Sequence, residues 1–236
     1  FSASTEDINN LLAGIYYVTA TDASACVNLD TFTVSEPTPI ILSGIVQDAL
    51  CNGSFDGAID LTVTGGVGPY TFDWSNSSFN EDLTGLNAGT YSSTITDANG
   101  CTDSISFVVN EPQAIVLTGS STNVLCNSGN TGTIDITVSG GSIPYTYLWS
   151  NSETTEDLSV LVIGNYTGTV TDINGCFETI LFTISEPLAL GISYTSSNIS
   201  CFGFNDGEID ITVSGGVAPY TYLWIGGSTT EDLTGL

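Results

Sequence analysis

Apolar and polar residues alternate with a period of two through most of this chain. Ala58-Ile59-Asp60-Leu61-Thr62-Val63 places Ile, Leu and Val on one face and Asp and Thr on the other, as a half-buried strand requires. The same phase returns in Ile134-Asp135-Ile136-Thr137-Val138 and in Ile209-Asp210-Ile211-Thr212-Val213. A Gly-Gly pair ends each of these strands, and a proline opens the next. That next strand reads Tyr70-Thr71-Phe72-Asp73-Trp74, Tyr145-Thr146-Tyr147-Leu148-Trp149 and Tyr220-Thr221-Tyr222-Leu223-Trp224, with the aromatic rings sharing a face. Two further strands run from Gly89 to Ile95 and from Cys101 through Ile105, Phe107 and Val109. Between them Asp97-Ala98-Asn99-Gly100 has the composition of a tight hairpin turn. No segment of helical length shows a 3.6-residue period.

These elements recur. Trp74, Trp149 and Trp224 are spaced by 75 residues, and Pro69-Tyr70, Gly65-Gly66 and Glu36-Pro37 recur at the same interval. The period predicts two complete units, 39–113 and 114–188. A C-terminal part of a unit (1–38) precedes them and an N-terminal part (189–236) follows, as expected of a window on a longer array. Six or seven short strands in so few residues predict an all-β fold of tandem immunoglobulin-like antiparallel β-sandwich repeats forming an extended rod. Trp74, Trp149 and Trp224 are the expected core tryptophans of the third strand. Tyr91 and Tyr166, each just after a leucine- and glycine-marked segment, are the expected tyrosine corners.

Units this small bury a limited fraction of their surface and often need a crosslink. Two cysteines per unit, in the phase classes Cys26, Cys101, Cys176 and Cys51, Cys126, Cys201, fit that need and an oxidising compartment. Pairing Cys51 with Cys101 and Cys126 with Cys176 keeps each bridge inside one unit and is the first expectation. Cys26 and Cys201 are then paired outside the window or across boundaries. Two alternatives stay open: pairing across the Glu-Pro boundary (26–51, 101–126, 176–201) and a 51–176 bridge between successive units.

Charge narrows the function. The chain has 26 acidic residues and no Lys, Arg or His. Phosphate contacts need cations, so nucleic acid is excluded as a partner. Hydroxyl nucleophiles have no nitrogen base to activate them, so the expectation is a protein that is not an enzyme. Glu81-Asp82, Glu156-Asp157 and Glu231-Asp232 are paired carboxylates of the kind glycosidases use, but neighbours in a strand face opposite ways. No apolar run approaches the ~20 residues of a membrane span. No cofactor is expected, with calcium the one ion that the acidic turns admit. Its candidate ligands are Asp97, Asn99, Asp172, Asn174, Asp206 and Glu208, residue types that also serve ordinary turns. Phe55, Phe79, Phe202 and Phe204, in loops, are the candidates for carbohydrate or domain contacts.

The run from Cys51 to Gly66, then Pro69 to Ser75, Glu81 to Tyr91 and Thr96 to Cys101, resembles the SprB-type repeat, related to PKD-like modules. That repeat belongs to very large surface adhesins of gliding Bacteroidetes, and the resemblance covers essentially the whole chain. It implies the stalk of a secreted, outer-membrane-associated filament used in gliding motility and surface attachment, exported by type IX secretion. The implied partners are the motility and secretion machinery and, through parts outside this window, an extracellular surface or polysaccharide. The alternative is a carbohydrate- or calcium-binding surface array without a motility role. One departure stands out: Asp22-Ala23-Ser24-Ala25 replaces the Asp-x-Asn-Gly turn ahead of Cys26.

Overall fold

Thr, Val, Ile and aromatic residues in period-two order build only strands among the described residues, 7–236, of the computed structural model. They are β1 (Gly14–Thr21), β2 (Val27–Val34), β3 (Ile41–Gln47), β4 (Gly57–Thr64), β5 (Thr71–Trp74), β6 (Leu83–Leu86), β7 (Gly89–Thr96) and β8 (Thr102–Val109). The series continues as β9 (Val116–Thr122), β10 (Gly132–Ser139), β11 (Thr146–Trp149), β12 (Leu158–Leu161), β13 (Gly164–Thr171) and β14 (Phe177–Ile184). Last come β15 (Gly191–Ser197), β16 (Glu208–Ser214) and β17 (Leu233–Thr234). Two compact units form: residues up to Ala49 with Gly53–Glu111, and Leu50–Asn52 with Pro112–Leu236.

In the first unit β1 and β2 form a hairpin. One antiparallel sheet has the order β3-β4-β6 and a second β5-β7-β8, the division of strands that an immunoglobulin-like sandwich makes. Alternation decides what lies between them. Ile59 and Leu61 of β4 and Leu83 and Leu86 of β6 meet Trp74, Ile95 and Val109 from the other sheet, all buried. Trp74 tilts against Phe107 with ring centroids 6.3 Å apart. Its indole N–H, which burial would otherwise orphan, donates to the Asn80 carbonyl at 2.9 Å.

The second unit repeats the plan with sheets β9-β10-β12 and β11-β13-β14, and adds a sheet of order β15-β16-β17. Ile134, Ile136, Trp149, Leu158, Leu161, Val170 and Ile184 hold the equivalent core places, and Trp149 lies 6.4 Å from Phe182. Tyr91 and Tyr166 donate to the carbonyls four residues upstream, Asn87 at 3.0 Å and Val162 at 3.1 Å. Both are tyrosine corners, and Tyr16 makes the same bond to Leu12 at 2.6 Å.

The Gly-Gly pair does more than end a strand. Gly65 has φ +73° and a Cβ there would sit 1.9 Å from the Pro39 carbonyl oxygen, so no other residue fits. The carbonyl of Gly65 accepts the Tyr70 hydroxyl at 2.5 Å, and the Gly66 N–H donates to the Thr38 carbonyl at 2.8 Å. Gly-Gly, Pro-Tyr and the residues after Glu-Pro are thus one interlocked corner, which is why they recur together.

One predicted strand does not form. Tyr220–Trp224 stays outside regular structure, whereas its equivalents are β5 and β11. Those two pair with β7 and β13, whereas Tyr220–Trp224 joins no sheet among the described residues. A strand without a ladder partner has no backbone hydrogen bonds to define it.

Candidate functional site

The chemistry of this chain sits in two loops that recur with the period. The first is the hairpin turn before β8 and β14. Asp97 accepts the N–H groups of Asn99 at 2.9 Å and Cys101 at 2.8 Å on one carboxylate oxygen, and of Val67 at 3.0 Å on the other. Asp172 does the same with Asn174 and Cys176, both at 2.9 Å, and Ser142 at 2.9 Å. Both aspartates are buried. The N–H of Cys101, helped by those of Val67, Asn99 and Gly100, holds the Asp97 carboxyl below its ordinary 3.8, against the opposing effect of burial. Gly100 and Gly175 close the turn at φ +83° and +85°. In the β1–β2 hairpin Asp22 keeps its bonds to Ser24 and Cys26 at 2.8 Å, and Ala25 takes the glycine place at φ 63°.

These contacts define the surroundings of the candidate calcium ligands. The carboxylates of Asp97 and Asp172 face N–H donors, the surroundings of an anion that organises a turn. Asp206 accepts the Ser200 N–H at 2.9 Å, and hydrogen bonding from Ser200 holds its carboxyl low. Asp97 with Asn99 and Asp172 with Asn174 stand in separate turns, and Asp206 precedes Glu208, the first residue of β16. No group of three or more His, Cys, Asp or Glu gathers among the described residues. The Glu-Asp pairs are likewise structural at their second member. Asp82, Asp157 and Asp232 each accept a backbone N–H at 2.9 Å, from Leu61, Ile136 and Ile211, just beyond the short pairing of β6, β12 and β17.

The second loop joins the Cys-Asn dipeptide to the Glu-Pro dipeptide of the same repeat. Glu111 accepts the Gly53 N–H at 2.6 Å, and Asn52 donates to the Pro112 carbonyl at 3.2 Å. Glu186 accepts the Ser128 N–H at 2.7 Å, and Asn127 donates to Glu186 at 2.9 Å and to the Pro187 carbonyl at 3.1 Å. Cys51 and Cys126 are therefore pinned beyond the end of the last strand of their repeats.

This placement decides the disulfide. Cys101 directly precedes β8 and Cys51 is held beyond the far end of it, one eight-residue strand and so about 25 Å away. The expected 51–101 and 126–176 bridges do not form, because bonded cysteines need Cα atoms within about 7 Å. Cys126 is fixed at Glu186-Pro187, so the boundary pairing of Cys101 with Cys126 does not form either. Cys51 is bonded to Cys176, with Cα atoms 5.6 Å apart, the third arrangement that the sequence left open. The amide of Asn174 donates to the Leu50 carbonyl at 3.1 Å and to the Ser142 hydroxyl at 3.2 Å, holding the Leu50–Asn52 segment in the second unit. Cys26, Cys101, Cys126 and Cys201 are free and exposed. Spacing alone carried no signal for this pairing, since the two phase classes allow several.

Trp74 and Trp149 are core residues, as expected, and Trp224 is partly buried. Phe55, Phe79, Phe202 and Phe204 are exposed in loops.

The SprB repeat family matches this chain at residues 43–79, 118–154 and 193–229. The SprB repeat is thus matched three times along the chain. Each match spans the first cysteine, the Gly-Gly corner and the tryptophan of its SprB repeat, and ends before the Asp-x-Asn-Gly hairpin. No curated protein matches the chain. Among solved structures, the eight N-terminal Ig domains of Down syndrome cell adhesion molecule align over 89% of the chain and 32% of that protein, at 12% identity and a TM-score of 0.41. The two Ig domains of DIP-gamma align over 63% and 97%, at 11% identity and a TM-score of 0.33. Domains 4–9 of surface layer protein SbsC align over 85% and 38%, at 16% identity and a TM-score of 0.29.

Proposed function

We propose that these SprB repeats form part of the stalk of a large secreted adhesin filament at the cell surface, used in gliding motility and surface attachment. The observation that carries the reading is the threefold SprB match, repeated on one scaffold whose recurring polar groups are spent on turns. We further propose that the chain performs no catalysis. It has no nitrogen base, and the second carboxylate of each Glu-Asp pair is bonded to backbone. Adhesive contacts and the type IX and motility machinery then engage parts of the filament beyond these repeats. An antibody against this chain, applied to intact living cells that express it, tests the proposal. Label that decorates the surface and travels along it is expected; label that needs permeabilised cells, or stays fixed on gliding cells, overturns it.

A further inference from the structure

The Cys51–Cys176 bond joins the first cysteine of one SprB repeat to the second cysteine of the next, at a sequence separation of 125. Both halves of its framework recur elsewhere in the chain. On the first half, Cys126 lies in a cleft with Asn127, Pro187, Leu188, Leu190 and Gly216. These are the places that Asn52, Pro112, Gln113, Ile115 and Gly141 hold about Cys51. Asn127 donates to the Pro187 carbonyl at 3.1 Å, as Asn52 donates to that of Pro112 at 3.2 Å. On the second half, the Cys101 N–H is held by Asp97 at 2.8 Å as that of Cys176 is held by Asp172 at 2.9 Å, and Asn99 stands where Asn174 stands. The four free cysteines are thus unpaired copies of the two ends of one bond, and no two of them are separated in the sense that the bond requires.

We propose that the 51–176 bond is one instance of a rule. In a continued array every first cysteine is oxidised onto the second cysteine of the following repeat, so each repeat is bonded to both neighbours. Each bond forms by exchange with a disulfide oxidant, such as an oxidoreductase disulfide or oxidised glutathione. Two thiols become one disulfide, and the oxidant, taking two electrons and two protons, leaves as two thiols. The bonds interleave. Tension arriving at Cys51 crosses to Cys176, follows the short chain to Cys201 and crosses again, so most of each repeat lies outside the covalent path. The inference concerns bonding alone and stands whether or not the filament serves motility.

The chain itself provides the test, because Leu236 and Leu86 are in phase. Residues 87–188 appended after Leu236 continue the period and bring copies of Cys101, Cys126 and Cys176. After refolding both proteins with oxidised and reduced glutathione, peptide mapping by mass spectrometry identifies the bonds. The parent chain is expected to hold only 51–176 and four free thiols. The extended chain is expected to add Cys126 to the appended Cys101 and Cys201 to the appended Cys176, so that free thiols fall from four to three. Cys51→Ser in the extended chain removes its own bond and leaves the two new ones, which separates the rule from a failure to fold. Pulled from Cys51 to the appended Cys176, the oxidised chain is expected to unfold to a several-fold shorter length than the reduced one, in proportion to the residues left outside the bonds. Bonds inside a repeat, a free Cys126 beside an intact 51–176, a parent without 51–176, or equal lengths before and after reduction each overturn the rule.

Discussion

Val160 is the least comfortable residue in the described chain. It lies at φ 61°, in the left-handed region that a β-branched side chain resists, where the other two repeats place Gly85 at φ 70° and Gly235 at φ 73°. Its side chain is exposed, so replacing it forfeits little burial. Val160→Gly is expected to stabilise the second unit by about 1 kcal/mol, the left-handed strain relieved less the entropy of an added glycine. Gly85→Val, where the added Cβ meets only the Phe55 carbonyl at 3.8 Å, is expected to cost the first unit a similar amount. Urea midpoints of the two variants check both signs. Ser93 offers an independent case. It is 2% exposed beneath Trp74 and its hydroxyl has no hydrogen-bond partner, so Ser93→Ala should raise stability by roughly 1 kcal/mol. The equivalent Gly168 has the Trp149 ring only 2.8 Å from a built Cβ, and Gly168→Ala should destabilise, in a thermal melt, where Ser93→Ala does not.

Hairpins depend on their aspartates in a way that composition understates. Asp-x-Asn-Gly reads from sequence as a turn because of its glycine and asparagine. The structure shows that the aspartate also reaches out of the hairpin to residues 30 positions upstream, Val67 and Ser142. Asp172→Ala removes the acceptor of three N–H groups and should cost about 2–4 kcal/mol, measured by chemical denaturation. Acid should act through the same groups. The folded carboxyl of Asp97 lies below its ordinary 3.8, so the unfolded chain takes up the proton first. Its contribution to stability is therefore complete above that value and is lost as pH falls through the folded value below it. NMR titration of the Asp97 carboxyl should find a midpoint under 3.8 and the Cys101 amide moving with it; a midpoint above 3.8 contradicts the geometry.

Charge governs the molecule as a whole. With 26 acidic residues and no cation, every long-range pair is repulsive and no side-chain ion pair offsets it. Moderate salt should raise the melting temperature by screening, the reverse of a chain held by surface ion pairs. Melting curves between ~0.01 and ~0.5 M salt check this, and a flat or falling temperature contradicts it. Reduction works against a different term. The Cys51–Cys176 bond closes a loop of 125 residues, and loop-closure entropy puts its loss at up to about 5 kcal/mol for complete unfolding. Trypsin-like proteases find no site even in the reduced, denatured chain, because Lys and Arg are absent.

Period-two alternation determined the strands, and their number, the recurring tryptophans and the leucine- and glycine-marked segments determined the sandwich class, the core tryptophans and the tyrosine corners, because each rests on local geometry that the chain must satisfy wherever it folds. Ile59, Trp74 and Tyr91 announce their faces and partners by spacing alone. The 75-residue period likewise made the tandem repeat visible before any coordinate. Three matters waited for tertiary structure. Cysteine pairing depends on which loop ends meet in space, and the contacts of Glu111 and Asn52 that pin Cys51 cross some 60 residues of sequence. The surroundings of the turn aspartates depended on which backbone N–H groups the fold brings to them, which composition does not encode. Tyr220–Trp224 has the residues of a strand and lacks the ladder that would make it one, since a strand is defined by its neighbour and not by its own sequence.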